Sequence, residues 1–143
     1  MSNINNQENQ YSIETMFNLY AREMELSEVH NRVFRKRSLT ISEMKYMHES
    51  VQSVVEKENR RIAVRAELFA LLYICHPEAL FKKTKYSRKV KYYMLKMLGL
   101  ETQNISSFKK DIIFLYFNDK KFRGVVTRTI EVATRAVQKE NDM

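Results

Sequence analysis

The sequence has one cysteine, one proline and two glycines in 143 residues. A single cysteine, Cys75, excludes a disulfide within the chain and favours a reducing compartment. So little glycine and proline argues against the many tight turns of a β-rich fold and excludes a glycine-rich phosphate loop. The longest strictly apolar run, residues 68–75, is far too short to span a bilayer. We therefore expect no membrane partner, and the polar first ten residues predict no secretory signal peptide.

The net charge of +8 is unevenly distributed along the chain. Residues 82–128 carry thirteen Lys and Arg against three Asp and Glu, a balance of +10. Residues 1–34 carry two against five, a balance of −3. Such a local excess of positive charge favours a polyanionic partner, most simply nucleic acid. Lysines that only keep a small helical protein soluble are the plain alternative, and composition does not separate the two.

Apolar residues recur at helical spacing along the chain and predict an all-α fold with two long N-terminal helices. The first is expected at about 13–34, after a polar tail at 1–11. Thr40 and Glu43 have the spacing of a capping box, which starts a second helix at 41. No helix breaker follows before Cys75, so the pattern predicts one helix over about 41–75, roughly 50 Å long at 1.5 Å per residue.

A basic C-terminal part is expected to hold three further helices. His76 and Pro77 predict a break with a short restart, and Ser87 is a candidate cap for the next helix. Later helices are expected at about 104–117 and 120–139. The apolar face of the last one comprises Phe122, Val125, Val126, Ile130, Ala133 and Val137. We predict a single helical domain, in which residues 12–81 form a long-helix, oligomerisation part and residues 82–139 a basic part.

The segment LGLETQNISSF, residues 98–108, carries the most specific pattern in the chain. Gly99 ends an apolar helix, since glycine accepts a positive φ, and Leu100 follows it. Four polar residues then precede Ile105, and Phe108 lies three positions further on. Residues 91–111 thus resemble the helix-turn-helix unit of DNA-binding proteins. Leu95 is bulky where that motif usually has a small residue, so we expect the two helices to cross at a wider distance.

The resemblance implies which side chains would contact DNA. The second helix of the motif would read the major groove through its N-terminal side chains, namely Gln103, Asn104, Ser106, Ser107 and Lys110. The preceding helix and connector would hold the phosphate backbone through Lys82, Lys83, Lys85, Arg88, Lys89, Lys91 and Lys96. A second group of contacts at the next helix start would comprise Lys120, Lys121 and Arg123.

Chemistry other than binding has no recognisable pattern in the chain. Cys75, His76 and Glu78 are close together but lack two further ligands at metal-site spacing, so we interpret them as a buried thiol beside a capping imidazole. No nucleophile motif or paired carboxylates in an apolar setting appear. The sequence therefore predicts a non-enzymatic protein with no metal and no cofactor.

Two functional interpretations remain open, with a third behind them. The first is a cytoplasmic protein that binds duplex DNA and forms a homo-oligomer through the 13–75 helices. The alternative is a structural subunit of a phage-like virion, such as a ring or adaptor protein, that contacts other subunits. The alternative is favoured by the long helix, by the apolar segment IIFLYF at 112–117 and by a Lys, Asn, Ile and Tyr bias typical of AT-rich phage-like genes. The third is a helical inhibitor of a nucleic-acid enzyme.

Overall fold

The described part of the chain is all-helical, as the sequence predicts. The computed structural model describes residues 38–81 and 84–142, and these residues form five α-helices and no strand. The predicted helix at 13–34 lies outside the described residues, and so do Lys82 and Lys83.

The first described helix, α1 (Ile41–Val55), begins where the capping box predicts. The Thr40 hydroxyl accepts a hydrogen bond from the Glu43 amide at 3.0 Å. The Glu43 carboxylate accepts one from the Thr40 amide at 2.8 Å. Two backbone amides at the helix start, which have no acceptor within the helix, are satisfied in this way. The start of α1 is therefore fixed by neighbouring residues.

The predicted continuous helix over 41–75 is wrong, because the chain turns at residues 56–59. A second helix, α2 (Arg60–Cys75), begins after Asn59, whose side chain accepts a hydrogen bond from the Ile62 amide at 3.0 Å. Asparagine in an extended conformation is a strong N-cap, and the prediction of one helix over 41–75 overlooked it. The turn brings α1 and α2 into contact with each other.

The remaining elements follow the predicted order. Pro77 opens a short 3₁₀ helix, and the Ser87 hydroxyl caps the next helix by accepting from the Val90 amide at 3.2 Å. Asp119 caps the last helix, since its carboxylate accepts from the Phe122 amide at 3.1 Å. The helices are α3 (Arg88–Tyr92), continued by a π-helical turn (Tyr93–Met97), then α4 (Ile105–Asn118) and α5 (Lys120–Asp142).

The core forms where α5 crosses α1 and α2. All six residues predicted for the apolar face of α5 are buried, none more than 5% exposed. The apolar part of α2, residues 68–72, is buried on every side, as its composition predicts. Helix α4 lies at the edge of this core, where it packs against α2 and α5.

Candidate nucleic-acid interface

A tight corner lies at Gly99, as predicted. Gly99 has φ +71°, a conformation that side chains with a Cβ adopt at a cost. Before it, the Leu98 amide donates to the Tyr93 carbonyl at 3.0 Å, and the Leu100 amide donates to the Met94 carbonyl at 3.0 Å. The Leu100 side chain is buried under the corner, so the chain leaves the π-helical turn in a fixed direction.

The five residues predicted to read DNA all lie on the exposed side of the α4 N-terminus. Ile105 between them is buried, which orients the first turn of α4 on the core. The exposed residues are Gln103, Asn104, Ser106, Ser107 and Lys110. This surface is polar, it carries one ammonium group, and it adjoins the partial positive charge of a 14-residue helix.

Gln103 and Asn104 differ in whether their side-chain amides already make a hydrogen bond within the protein. Gln103 donates its amide hydrogen to the Glu101 carboxylate at 2.6 Å. Asn104 occupies the N-cap position of α4, but its side chain makes no capping hydrogen bond within the described part of the chain. An adenine edge would therefore find the Asn104 amide available, whereas Gln103 would have to exchange its bond with Glu101.

Helix α4 is fixed to α2 by one arginine. Arg65 donates to Asp111 Oδ2 from its Nη2 atom at 3.0 Å and from its Nε atom at 3.3 Å. Its guanidinium carbon also lies 4.3 Å from the centroid of the Phe108 ring. Arg65 is mostly buried, so this fork holds the rotation of α4 about its own axis.

The helices on either side of the corner are held by different neighbours. The π-helical turn contacts α1, whereas α4 packs on α2 and α5, and direct packing between α3 and α4 is slight. Phe108 packs against the hydrophobic core, and its ring also lies against Arg65 of α2. The corner therefore joins two separately anchored elements.

The predicted phosphate contacts are exposed wherever the structure describes them. These residues are Lys85, Arg88, Lys89, Lys91 and Lys96. In the second predicted group Lys120 and Lys121 are exposed, but Arg123 is engaged within the protein. Its guanidinium donates to the Tyr116 carbonyl at 3.0 Å and faces the Tyr116 ring, so it ties α5 to the end of α4.

A buried polar cluster behind the corner was not predicted. Glu67 of α2 is 3% exposed and accepts hydrogen bonds from the Tyr93 hydroxyl at 2.6 Å and the Gln52 amide at 3.1 Å. His48 Nδ1 pairs with the same carboxylate. The hydrogen bond to Glu67 raises the pKa of His48 above 6.5, and burial raises the pKa of Tyr93 well above 10.

This cluster connects α1, α2 and the π-helical turn that leads to Gly99. A glutamate directly before the apolar run at 68–75 was the available signal, since a glutamate at a core position requires donors from neighbouring elements. Which residues supply those donors depends on how α1 packs on α2, and no local pattern contains that information.

The other titratable side chains of residues 38–81 and 84–142 do not form a metal site. No three His, Cys, Asp or Glu side chains within these ranges are placed to hold a metal ion. Cys75 and His76 are both buried at the end of α2. None of the helices in the described part of the chain has the length and apolar character needed to span a bilayer.

Comparisons with known proteins add no family to this picture. No protein-family model, curated protein or solved structure matches the chain.

Proposed function

We propose that this is a non-enzymatic, cytoplasmic DNA-binding protein that contacts duplex DNA with the first turns of α4. The observation that carries the proposal is the exposed polar side of α4 directly after the positive-φ corner at Gly99. It is supported by charge, because both elements lie in residues 82–128, which hold thirteen bases against three acids.

In this proposal, each group of exposed residues has a separate task. The Asn104 and Gln103 amides suit adenine edges, while the Ser106 and Ser107 hydroxyls suit phosphate oxygens near the positive end of α4. The lysines of α3 and of the π-helical turn neutralise the phosphate backbone. The Arg65 fork keeps α4 in one orientation, so that these groups meet DNA without further ordering.

The proposal is tested by removing three of the lysines together. In the variant Lys89→Ala/Lys91→Ala/Lys96→Ala, we expect gel retardation of a random duplex to be lost at moderate salt. Each phosphate contact releases about one counterion. The plot of log affinity against log salt should therefore become less steep, with a negative slope that is smaller in magnitude by about 3 than that of the wild type.

A matched control removes the same charge elsewhere. The variant Lys45→Ala/Lys57→Ala/Arg135→Ala also loses three exposed cations, all outside residues 82–128. It should keep both the affinity and the salt slope of the wild type. Equal weakening in the two triple variants would contradict a defined interface and leave only a general effect of net charge.

One observation supports the alternative, a structural subunit of a virion that acts through protein contacts. Phe114 on α4 is 65% exposed, and Phe117 is 47% exposed one turn further on. Exposed aromatic side chains on one helix face are typical of a surface that another protein covers. The long helix that also favoured this alternative is absent, because 41–75 divides into α1 and α2.

A further inference from the structure

Helix α2 binds the chain on both sides of the corner at Gly99, although none of its residues is among the proposed DNA contacts. Its start lies beside the corner, since a Cβ on Gly99 would be 3.7 Å from Arg60 Nη2. Two polar side chains further along α2 make hydrogen bonds to the elements that flank the corner. Glu67 binds the element before it, and Arg65 binds the element after it.

The contact before the corner joins α2 to the π-helical turn. The Tyr93 hydroxyl donates to Glu67 Oε2 at 2.6 Å, and both side chains are buried. A buried carboxylate is costly without its donors, so this bond holds the turn against α2. Lys96, a proposed phosphate contact, lies three residues after Tyr93 in the same turn.

The contact after the corner joins α2 to α4. The Arg65 side chain is only 12% exposed, and both of its hydrogen bonds end on Asp111 Oδ2, at 3.0 and 3.3 Å. Asp111 lies about two turns after Asn104, so this contact fixes the direction in which the first turn of α4 faces. The fork and the bond to Tyr93 originate only two residues apart on α2.

These two contacts link the two parts of the proposed interface through one rigid helix. Residues two apart on a helix point about 200° away from each other, so Arg65 and Glu67 leave α2 on different sides. Direct packing between α3 and α4 is slight, so their relative position depends on elements behind them. Helix α2 supplies a side-chain bond to each part.

We propose that Arg65 and Glu67 are positioning residues that determine base discrimination, because they hold the first turn of α4 and the lysines before the corner in one relative geometry on DNA. Amide contacts with an adenine edge require a position accurate to about 0.5 Å, whereas a lysine can follow a phosphate on its flexible stem. Loosening either contact therefore reduces discrimination between bases more than phosphate binding. This inference rests on the proposed DNA-binding function.

The test compares the affinities of the full-length protein for two duplexes of about 20 base pairs, one of A·T pairs only and one of G·C pairs only. We expect the wild type to prefer the A·T duplex by about tenfold or more, since the Asn104 and Gln103 amides suit adenine edges. In Asp111→Ala and in Tyr93→Phe, the preference should fall below about threefold. Loss of folded protein would lower both affinities by the same factor, so the ratio reports position and not stability.

Two control variants match these changes at other places. Glu131→Ala removes the acidic partner of Arg135 on α5, and with it one negative charge, as Asp111→Ala does. Tyr46→Phe removes a tyrosine hydroxyl from α1. Both control variants should keep the wild-type ratio, and an equal fall in the controls would overturn the positioning role.

The outcomes separate this inference from the function on which it rests. A wild-type ratio retained in Asp111→Ala or in Tyr93→Phe would overturn the positioning role and leave DNA binding intact. Equal binding of the two duplexes by the wild type would do the same. A wild type that binds neither duplex would overturn the proposed function itself, and this inference with it.

Discussion

At the scale of single residues, Glu67 sets the strongest constraint. A carboxylate that is 3% exposed has lost its hydration, which costs several kcal/mol unless donors replace the water. Tyr93, Gln52 and His48 supply those donors from two other elements. The cluster therefore acts as a positional constraint on α1, α2 and the π-helical turn, since each must hold its place for Glu67 to stay satisfied.

Removing the acceptor should be far more harmful than removing one donor. We expect Glu67→Ala to lower the free energy of unfolding by about 3 kcal/mol, because three partners lose their acceptor, and Tyr93→Phe by about 1 kcal/mol. Urea unfolding measures both. Glu56→Ala, at an exposed glutamate just after α1, is the control and should stay within about 0.5 kcal/mol of wild type. A Glu67→Ala loss no greater than that of the control would refute the role of the cluster.

The same cluster predicts a pH dependence of stability. The Glu67 carboxylate faces His48 directly and Glu49 lies beside it in α1, and the hydrogen bond to Glu67 is the main cause that raises the pKa of His48 above 6.5. Folding thus favours the protonated imidazole. The stabilisation is fully present below pH 6.5, the unfolded value, and is lost as the pH rises through the raised folded pKa.

Urea unfolding across the pH range of about 5.5 to 8.5, where histidine titrates, checks this sign. The free energy of unfolding of the wild type should fall with rising pH relative to that of His48→Gln, which keeps a polar side chain but does not titrate. Parallel pH profiles for the two proteins would contradict this account, because they would show that folding does not change the pKa of His48.

At the scale of elements, the two glycines should respond in opposite directions. Gly99→Ala places a Cβ on a residue with φ +71° and should cost about 1 kcal/mol in the free energy of unfolding. Gly124→Ala lies inside α5, where its Cβ would meet only the end of the Arg128 side chain at 3.7 Å, and should stabilise by about 0.5 to 1 kcal/mol. Thermal unfolding of both variants tests the pair. A destabilising Gly124→Ala, or a neutral Gly99→Ala, would contradict this account.

Elements whose ends are fixed by nearby side chains could be predicted from the sequence. The Thr40 box, the Ser87 cap and the Asp119 cap each join residues three positions apart, so a short window contains the whole interaction. The Asn59 cap also joins residues three positions apart, so a short window contains it. It was not predicted, because the apolar pattern continues across the break. The π-helical turn at Tyr93–Met97 has no such local signal.

The candidate interface also has features that the sequence predicts locally and features that it does not. Exposure of residues such as Asn104 and Lys110 follows from the helical period of α4, together with the burial of Ile105 between them. The orientation of α4 does not follow, because Arg65 and Asp111 are 46 residues apart in the sequence. Long-range pairs of this kind depend on the packed fold, so the sequence predicted the surface residues but not what positions them.

At the scale of the whole molecule, charge and apolar exposure lie at opposite ends of α4. The N-terminal half carries Ser107 and Lys110 on its exposed side, while the C-terminal half carries Phe114 and Phe117. The proposed DNA contact uses the start of α4, and the alternative, contact with another subunit, uses its end. Substitutions at the two ends should separate these two properties.

We expect Phe114→Asp to reduce an oligomer of the wild-type protein to a smaller species, because a buried carboxylate in an aromatic contact is strongly unfavourable. Its DNA affinity should not change. Ser107→Asp adds the same charge near the start of the helix and should keep the oligomer while it weakens DNA binding. Size-exclusion chromatography with light scattering and a duplex-binding assay measure the two properties. A wild type that is monomeric at every concentration would contradict the apolar contact.

The corner before α4 is closed by two backbone hydrogen bonds of unusual span. Helices that end in glycine commonly close with a Schellman motif, in which an amide after the glycine bonds to a carbonyl five residues earlier. Here the Leu100 amide reaches the Met94 carbonyl, six residues earlier, and the Leu98 amide reaches Tyr93, five earlier instead of four. Both bonds span one residue more than usual, so this helix ending holds one residue more than the common form. Deletion of the exposed Lys96 would return both bonds to their common spans, with Gly99 still at the end of the helix.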